Sequence, residues 1–350
     1  SSRFPQTAEH SADMELRHIP FKKMNGLGND FVVIDARTEP LRLSASAAGS
    51  IAGRAEGAGC DQVIVLEPSP RADVFMRILN ADGSEVSACG NASRCVAALL
   101  HPELDRDRLT IETRAGILNA QVLAGGLVTV DMGVPRFGWD EIPLSRAFED
   151  TRAIDFTYVS PSGQVLERPS VVNVGNPHCI FWVQDAGSYD LAFFGGALER
   201  DPLFPERANI SLAEITDGKP PSPQPSPQEE RELAAAFFPA GEEIRGVLSP
   251  LGERDRVRGD FPSRIKLRVW ERGTGITRAC GTAACAAAVA AARTGRTGRK
   301  VEVELPGGVL LIEWRQADDH ILMTGPTEFE FQGVLHFNGG GQLARVVRHS

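Results

Sequence analysis

No run of about eighteen uninterrupted apolar residues occurs anywhere in this 350-residue chain, so a membrane-spanning helix is not expected. Basic residues are in deficit, with 37 Lys and Arg against 46 Asp and Glu and a net charge of −9. Broad nucleic-acid binding, which relies on clustered cations, is therefore not expected either. Six cysteines in a chain of this length do not make a disulfide scaffold. No Cys-x-x-Cys redox pair is present. Gly26-Leu-Gly28 lacks the third glycine and the preceding strand of a dinucleotide fingerprint. The start, Ser1-Ser-Arg-Phe-Pro, lacks the basic-then-apolar pattern of an export signal. Together these point to a soluble cytoplasmic protein with free thiols. Met14 would make a natural start, leaving residues 1–13 as a polar leader within an N-terminal extension 1–19.

What is present is rich in strands and has two clear helices. Short β-branched or apolar runs bounded by Gly, Pro or Asp include Phe31–Asp35, Gln62–Leu66, Val74–Leu79, Val171–Val174, Cys179–Val183, Ile265–Trp270, Val301–Glu304 and Val309–Trp314. Ala92–Leu100 and Ala283–Ala292 are Ala-rich helices, each reached through a Cys-Gly step. Gly49–Ala58 is a weaker helix candidate. Residues 217–263 open on a Pro- and Ser-rich run and continue with dense charge, which predicts a mobile insertion. Phe337-Asn-Gly-Gly-Gly-Gln-Leu343 reads as the start of a loose tail, 336–350.

The most informative feature is a repeat. Ala88-Cys-Gly-Asn-Ala-Ser-Arg-Cys95 and Ala279-Cys-Gly-Thr-Ala-Ala-Cys285 are near copies, each following a strand and a Gly-containing turn. Two similar halves facing each other would place one helix N-terminus on each side of a cleft. Cys95 and Cys285, flanked by Ala inside the helices, read as small buried hydrophobes. Cys89 and Cys280 stand at the positive ends of the helix dipoles, where a thiolate is favoured. The neighbouring N–H groups of Gly90-Asn91 and Gly281-Thr282 offer an anion site. Spacings of six and five residues between paired cysteines do not suit zinc. One thiolate could take the α-proton of a bound carboxylic acid while the opposite thiol returns another, inverting the carbon without a cofactor.

Five segments carry a family likeness: Met24-Asn-Gly-Leu-Gly-Asn-Asp-Phe31, Gly59-Cys-Asp-Gln62, Asn80-Ala-Asp-Gly-Ser-Glu-Val-Ser-Ala-Cys-Gly-Asn91, Gly175-Asn-Pro-His178 and Glu271-Arg-Gly-Thr-Gly-Ile-Thr-Arg-Ala-Cys-Gly-Thr282. By these the sequence resembles the diaminopimelate epimerase family of lysine and peptidoglycan precursor synthesis, over about residues 20–330. The resemblance implies an α+β fold of two similar domains, each a curved mixed sheet around a central helix, with the active site in the cleft. The first domain would span 20–133 plus 326–335 and the second 134–325. It implies epimerisation of LL-2,6-diaminopimelate to the meso form, no cofactor, no metal, and a homodimer.

Residue by residue, the resemblance makes Cys89 and Cys280 the acid/base thiols, with Glu271 and His178 positioning the ammonium group and tuning them. Gly90, Asn91, Gly281 and Thr282 would hold the reacting carboxylate. Asn29, Gln62, Asn80, Asn176, Asn209, Glu271 and Arg272 would fix the remaining substrate groups. On residue type alone Asn29 and Asn80 also suit Gly/Asp-rich turns, and Glu271-Arg272 a surface pair. The chain departs from the family pattern at Ala92 and Ala283, where Gly is common, and at Asn25, where His is. Two alternatives are carried: an enzyme of the same architecture acting on proline or hydroxyproline, and a non-catalytic or redox-sensing member whose cleft the insertion blocks.

Overall fold

The computed structural model describes residues 17–216 and 264–349. The leader and the 217–263 insertion expected from the sequence lie outside the described residues, as does Ser350. The first half runs β1 (Arg17–Gly26), β2 (Asn29–Asp35), α1 (Ala45–Ala52), β3 (Gln62–Glu67), β4 (Val74–Asn80), β5 (Glu85–Val86), α2 (Gly90–Leu104), β6 (Arg108–Thr113), β7 (Gly116–Val122) and β8 (Val128–Asp131). A separate hairpin, β9 (Thr157–Val159) with β10 (Val165–Glu167), follows. The second half runs β11 (Ser170–Asn173), β12 (Pro177–Trp182), α3 (Leu191–Glu199), β13 (Asn209–Thr216), β14 (Arg264–Glu271), β15 (Gly275–Thr277), α4 (Gly281–Arg293), β16 (Lys300–Leu305), β17 (Gly308–Trp314) and β18 (Ile321–Gly325). The chain closes with β19 (Glu328–Phe337) and β20 (Leu343–His349).

The repeated sequence corresponds to repeated pairing. β1–β2 is antiparallel, β2–β3 parallel, β3–β4 and β4–β5 antiparallel, β4–β6 parallel, then β6–β7–β8 antiparallel. Adding ten to each strand number reproduces the same sequence of directions from β11 to β18. β8 and β18 then pair with each other, joining the halves.

Each half wraps one helix. In α2 Ala92, Cys95, Val96, Ala97 and Leu100 are buried, and α4 is buried continuously from Ala283 to Ala291. A helix that is apolar on all sides must be enclosed, and a run of alanines lets the surrounding strands approach closely. Cys95 and Cys285 are fully buried among these side chains, as small hydrophobes would be.

Three expectations are corrected. The first strand begins at Arg17, ahead of the expected boundary at 20. The weak helix candidate at 49–58 is realised earlier, as α1 over Ala45–Ala52, because Ser44 caps it by accepting from the Ala47 N–H. The expected loose tail, 336–350, is corrected over its described residues 336–349: β19 continues to Phe337 and turns into β20, which pairs back along it. The Asn338 side chain organises that turn by accepting from the N–H groups of Gly340 and Gln342. Leu343 and Val346 then pack on the cluster around Phe21 and Leu335, giving the strand an apolar face to bury.

Candidate active site

The two helix starts are built alike. Cys89 and Cys280 are the N-caps of α2 and α4, both extended, at φ −147° and ψ 111° and at φ −133° and ψ 106°. Neither thiol makes the usual capping hydrogen bond, so the leading N–H groups of both helices stay available to an anion. Both helix starts converge on one side chain. A Cβ on Gly90 would lie 2.5 Å from the Met323 Cε, and one on Gly281 would lie 2.8 Å from its Sδ and 3.3 Å from the Asn91 Oδ1. A side chain at either glycine would press on the end of the Met323 side chain.

Around this point the strand ends deliver polar residues in matched pairs. Phe31 is in register with Gln62, and His178 with Asn209, which makes Asn29 the counterpart of Asn176 and Gln62 that of Asn209. Asn80 ends β4 as Glu271 ends β14. The predicted binding residues thus fall at equivalent positions of the two halves, except Arg272, whose counterpart is Ala81.

In the first half the Asn29 Oδ1 faces the Cys89 sulfur at 3.9 Å and accepts from the Asn91 amide at 3.3 Å. Gln62 donates to the Asn80 Oδ1 at 3.0 Å. Asn29 rides on the tight β1–β2 turn, whose central residues Leu27 and Gly28 have φ of 65° and 85°. Positive φ at both positions suits a hairpin of this hand, though it is unusual for leucine. Asn25 secures the turn by accepting from the Gly28 N–H at 2.6 Å.

In the second half the His178 Nε2 lies 2.8 Å from the Asn176 Oδ1 and 3.3 Å from the Asn209 amide. Asn176 donates to the Thr282 hydroxyl at 3.4 Å, and that hydroxyl lies 3.5 Å from the Cys280 sulfur. The Asn209 Oδ1 accepts from the Arg272 N–H at 2.9 Å. Arg272 is exposed, its guanidinium donating to the Glu206 carbonyl. Glu271 accepts from Thr277 at 2.5 Å and stands beside the Cys280 thiol. The proposed site residues thus fall into three polar groups, Asn29 with Cys89 and Asn91, Gln62 with Asn80, and the second-half set around His178 and Cys280, or stand at a helix start.

Burial sets the protonation states. It pushes the Cys89 thiol up to about 11, against the N–H groups of Ala92 and Asn91. It pushes Cys280 well above the usual thiol range, aided by the negative charge of Glu271. The Glu271 carboxyl is raised, again mainly by burial. Burial, with the Arg272 charge, holds His178 down at about 3, so it is neutral at pH 7. The Gln62 Oε1, Asn91 Oδ1 and His178 Nδ1 are buried without a hydrogen-bond partner among the described residues. Such groups are costly unless a ligand or water satisfies them.

Residues outside the expected set also shape the site. The Asp61 carboxylate accepts from the Asn29 amide at 2.9 Å and from Arg54 at 2.7 Å. Burial alone would raise Asp30, but hydrogen bonds from Arg54 and Lys23 bring it down to about 2. Met323 and the buried Arg94 complete the floor beneath the helix starts. Their sequence signal is faint: Asp61 sits inside Gly59-Cys-Asp-Gln62, and Arg94 interrupts the small residues of the first half of α2.

The architecture is shared with solved structures. A hydroxyproline epimerase from Agrobacterium vitis superposes with a TM-score of 0.57 at 14% identity, over 94% of this chain and 95% of that one. A probable proline racemase from Agrobacterium radiobacter K84 gives 0.56 at 14% identity, over 90% and 92%. With both, the likeness is one of fold.

The sequence comparison is narrower. The family model described as Diaminopimelate epimerase matches residues 21–138 and 255–330. A diaminopimelate epimerase from Rhodopseudomonas palustris (strain BisB18) is 47% identical over 321 residues, 91% of this chain and 95% of its own. One from Brucella canis is 45% identical over 318 residues, 90% of each. The chain belongs to the diaminopimelate epimerase family.

Proposed function

We propose that the chain interconverts LL- and meso-2,6-diaminopimelate with Cys89 and Cys280 as its two acid/base groups. The observation that carries the reading is the meeting of the two Cys-Gly helix starts at Met323, each ringed by equivalent polar residues. The α-carboxylate of the reacting centre binds to the N–H groups of Gly90-Asn91 and Gly281-Thr282. One thiolate removes the α-proton and becomes a thiol. The electron pair left on the α-carbon is delocalised into the carboxylate, whose growing charge the two helix starts stabilise. The opposite thiol then gives its proton to the other face of the carbon and becomes the thiolate. The carbon is inverted: its original proton sits on the first sulfur, and the second sulfur's proton sits on the carbon.

Glu271, beside Cys280, is placed to draw the proton from that thiol, while neutral His178 orients Asn176 and Asn209. Asn29, Gln62, Asn80, Asn176, Asn209 and Arg272 bind the ammonium groups and the distal carboxylate, since a molecule with two zwitterionic ends needs fixed donors and acceptors beyond the reacting centre. Residues 17–133 with 326–349 and residues 134–325 act as the two jaws that close on it, and the working unit is a homodimer, which light scattering would test. The set of contacts for a second amino-acid head favours diaminopimelate over proline or hydroxyproline, which carry only one.

The decisive experiment is proton NMR of LL-diaminopimelate with reduced protein in D₂O. Deuterium should enter one α-position as the meso isomer appears, and both should stop in Cys89→Ala and Cys280→Ala. No exchange by fully reduced wild-type protein would overturn the assignment.

A further inference from the structure

Arg94 lies one turn into α2 and is fully buried. Its Nε and Nη2 have no hydrogen-bond partner, and its Nη1 points at the Met323 sulfur, a weak acceptor, 3.5 Å away. Among the described residues no carboxylate lies within ion-pairing distance of it. The guanidinium is wedged between the backbones of Gly26 and Gly325: Cβ atoms at those positions would lie 3.5 Å from its Nη2 and 3.3 Å from its Nε. Gly26 ends the strand that leads to Asn29, and Met323 is the side chain on which both helix starts meet.

This placement is doubly unfavourable. A guanidinium keeps its charge, and a buried charge without a partner is expensive. A cation near a helix N-terminus also opposes the helix dipole. What balances both is negative charge arriving at the same helix mouth, where Cys89 is the N-cap. We propose that Arg94 is a positioning residue of the reaction: a fixed countercharge, walled off from solvent, that supports the thiolate form of Cys89. The guanidinium touches neither the substrate nor the sulfur, and acts through the field at the mouth of α2. That field is consistent with the pull of Arg94 on the Cys89 thiol toward ionisation. The Glu271 charge opposes ionisation of both thiols, but only Cys89 has Arg94 to set against it, so the two are chemically unequal although their backbones match.

The proposal deepens the two-thiol reading, yet its test needs no turnover. The reduced full-length protein is alkylated with iodoacetamide from pH 6 to 10, and modification of the Cys89 peptide is followed by mass spectrometry. Arg94→Met, which keeps the bulk and removes the charge, should move the Cys89 profile up by about one pH unit, a tenfold loss of thiolate at fixed pH. Arg94→Lys should restore most of the wild-type profile. A profile for Arg94→Met that coincides with wild type, in protein of unchanged circular dichroism, would overturn the proposal. So would a shift in Arg94→Lys as large as that in Arg94→Met, since shape rather than charge would then be the cause. If Arg94→Met does not fold, Arg94→Lys with Arg94→Gln provides the same comparison. Failure of the D₂O exchange experiment alongside a shifted alkylation profile would sink the epimerase mechanism and leave the role of Arg94 standing.

Discussion

The amide of Asn29 donates to Asp61 at 2.9 Å while its carbonyl oxygen faces the Cys89 sulfur, so Asp61 fixes which end of Asn29 the Cys89 thiol meets. Arg54 holds Asp61 from the other side. Asp61→Asn leaves the size unchanged but weakens this charge-assisted grip and allows the Asn29 amide to turn over. A fall in kcat/KM of about tenfold is expected, the worth of one such hydrogen bond. Thermal stability should change little, because Asp61 is exposed. Steady-state kinetics with a melting curve check both, and an unchanged kcat/KM would show that Asn29 needs no such support.

The same turn is gripped from the second half. A Cβ on Gly307 would collide with the Leu27 carbonyl oxygen, a backbone atom that cannot swing aside. Gly307 is itself held by its N–H bond to the Arg278 carbonyl, two residues before Cys280. Gly307→Ala must therefore push the Asn29 turn away from the Cys280 side of the site. We expect a loss of about 2–4 kcal/mol in stability, as for other overpacked sites, together with a raised KM. Urea unfolding and kinetics test this pairing; loss of stability without any change in KM would uncouple the turn from substrate binding.

The parts of the molecule legible in the sequence are those with a simple periodic or compositional cause. α2 and α4 announce themselves as Ala-rich runs behind Cys-Gly, and most central strands as β-branched runs. β1 is hidden because its pattern is broken by Lys22 and Lys23. Lys23 is nonetheless buried, since Asp30 and the Gly59 carbonyl receive its charge across the fold. α3 is masked by Gly195-Gly196, which reads as a breaker; Trp270 packs where side chains on those glycines would stand. The thiols and the polar strand ends were legible through motif and family likeness. Asp61, Met323 and Arg94 were not, because each acts on another residue across the fold, and that relation has no local pattern.

His178 predicts a measurable dependence of stability on pH. An unfolded histidine takes up a proton near pH 6.5, whereas the buried ring resists it down to about 3. The unfolded state therefore binds the extra proton between these values. The contribution of this site is whole above pH 6.5 and drains as pH falls, by up to about 1.4 kcal/mol per unit. The raised carboxyl of Glu271 works in the opposite sense above its usual value of 4.5. Asp30, held down at about 2, loses its contribution only below pH 3.8. The histidine effect is thus read as the difference between wild type and His178→Gln in urea titrations at pH 7.5, 6 and 5. The wild type should lose stability faster, and parallel curves would mean that the buried ring does not remain neutral.

The two thiols also predict a redox behaviour. To serve opposite faces of one α-carbon, Cys89 and Cys280 must both come close to a single atom in the closed form. If the protein closes without substrate, nothing in the mechanism keeps the sulfurs apart, and a disulfide needs Cα atoms roughly 4.4–6.8 Å from each other. Oxidation would remove both proposed acid/base groups at once. Mild oxidant should therefore abolish activity with a mass loss of about two hydrogens, and dithiothreitol should restore it by thiol exchange. Peptide mapping should find Cys89 joined to Cys280, with Cys95, Cys179 and Cys285, all fully buried, left free. Substrate held between the thiols should protect against the reaction. Inactivation that dithiothreitol does not reverse, or that spares the Cys89–Cys280 pair, would mean that the sulfurs do not meet when the cleft closes.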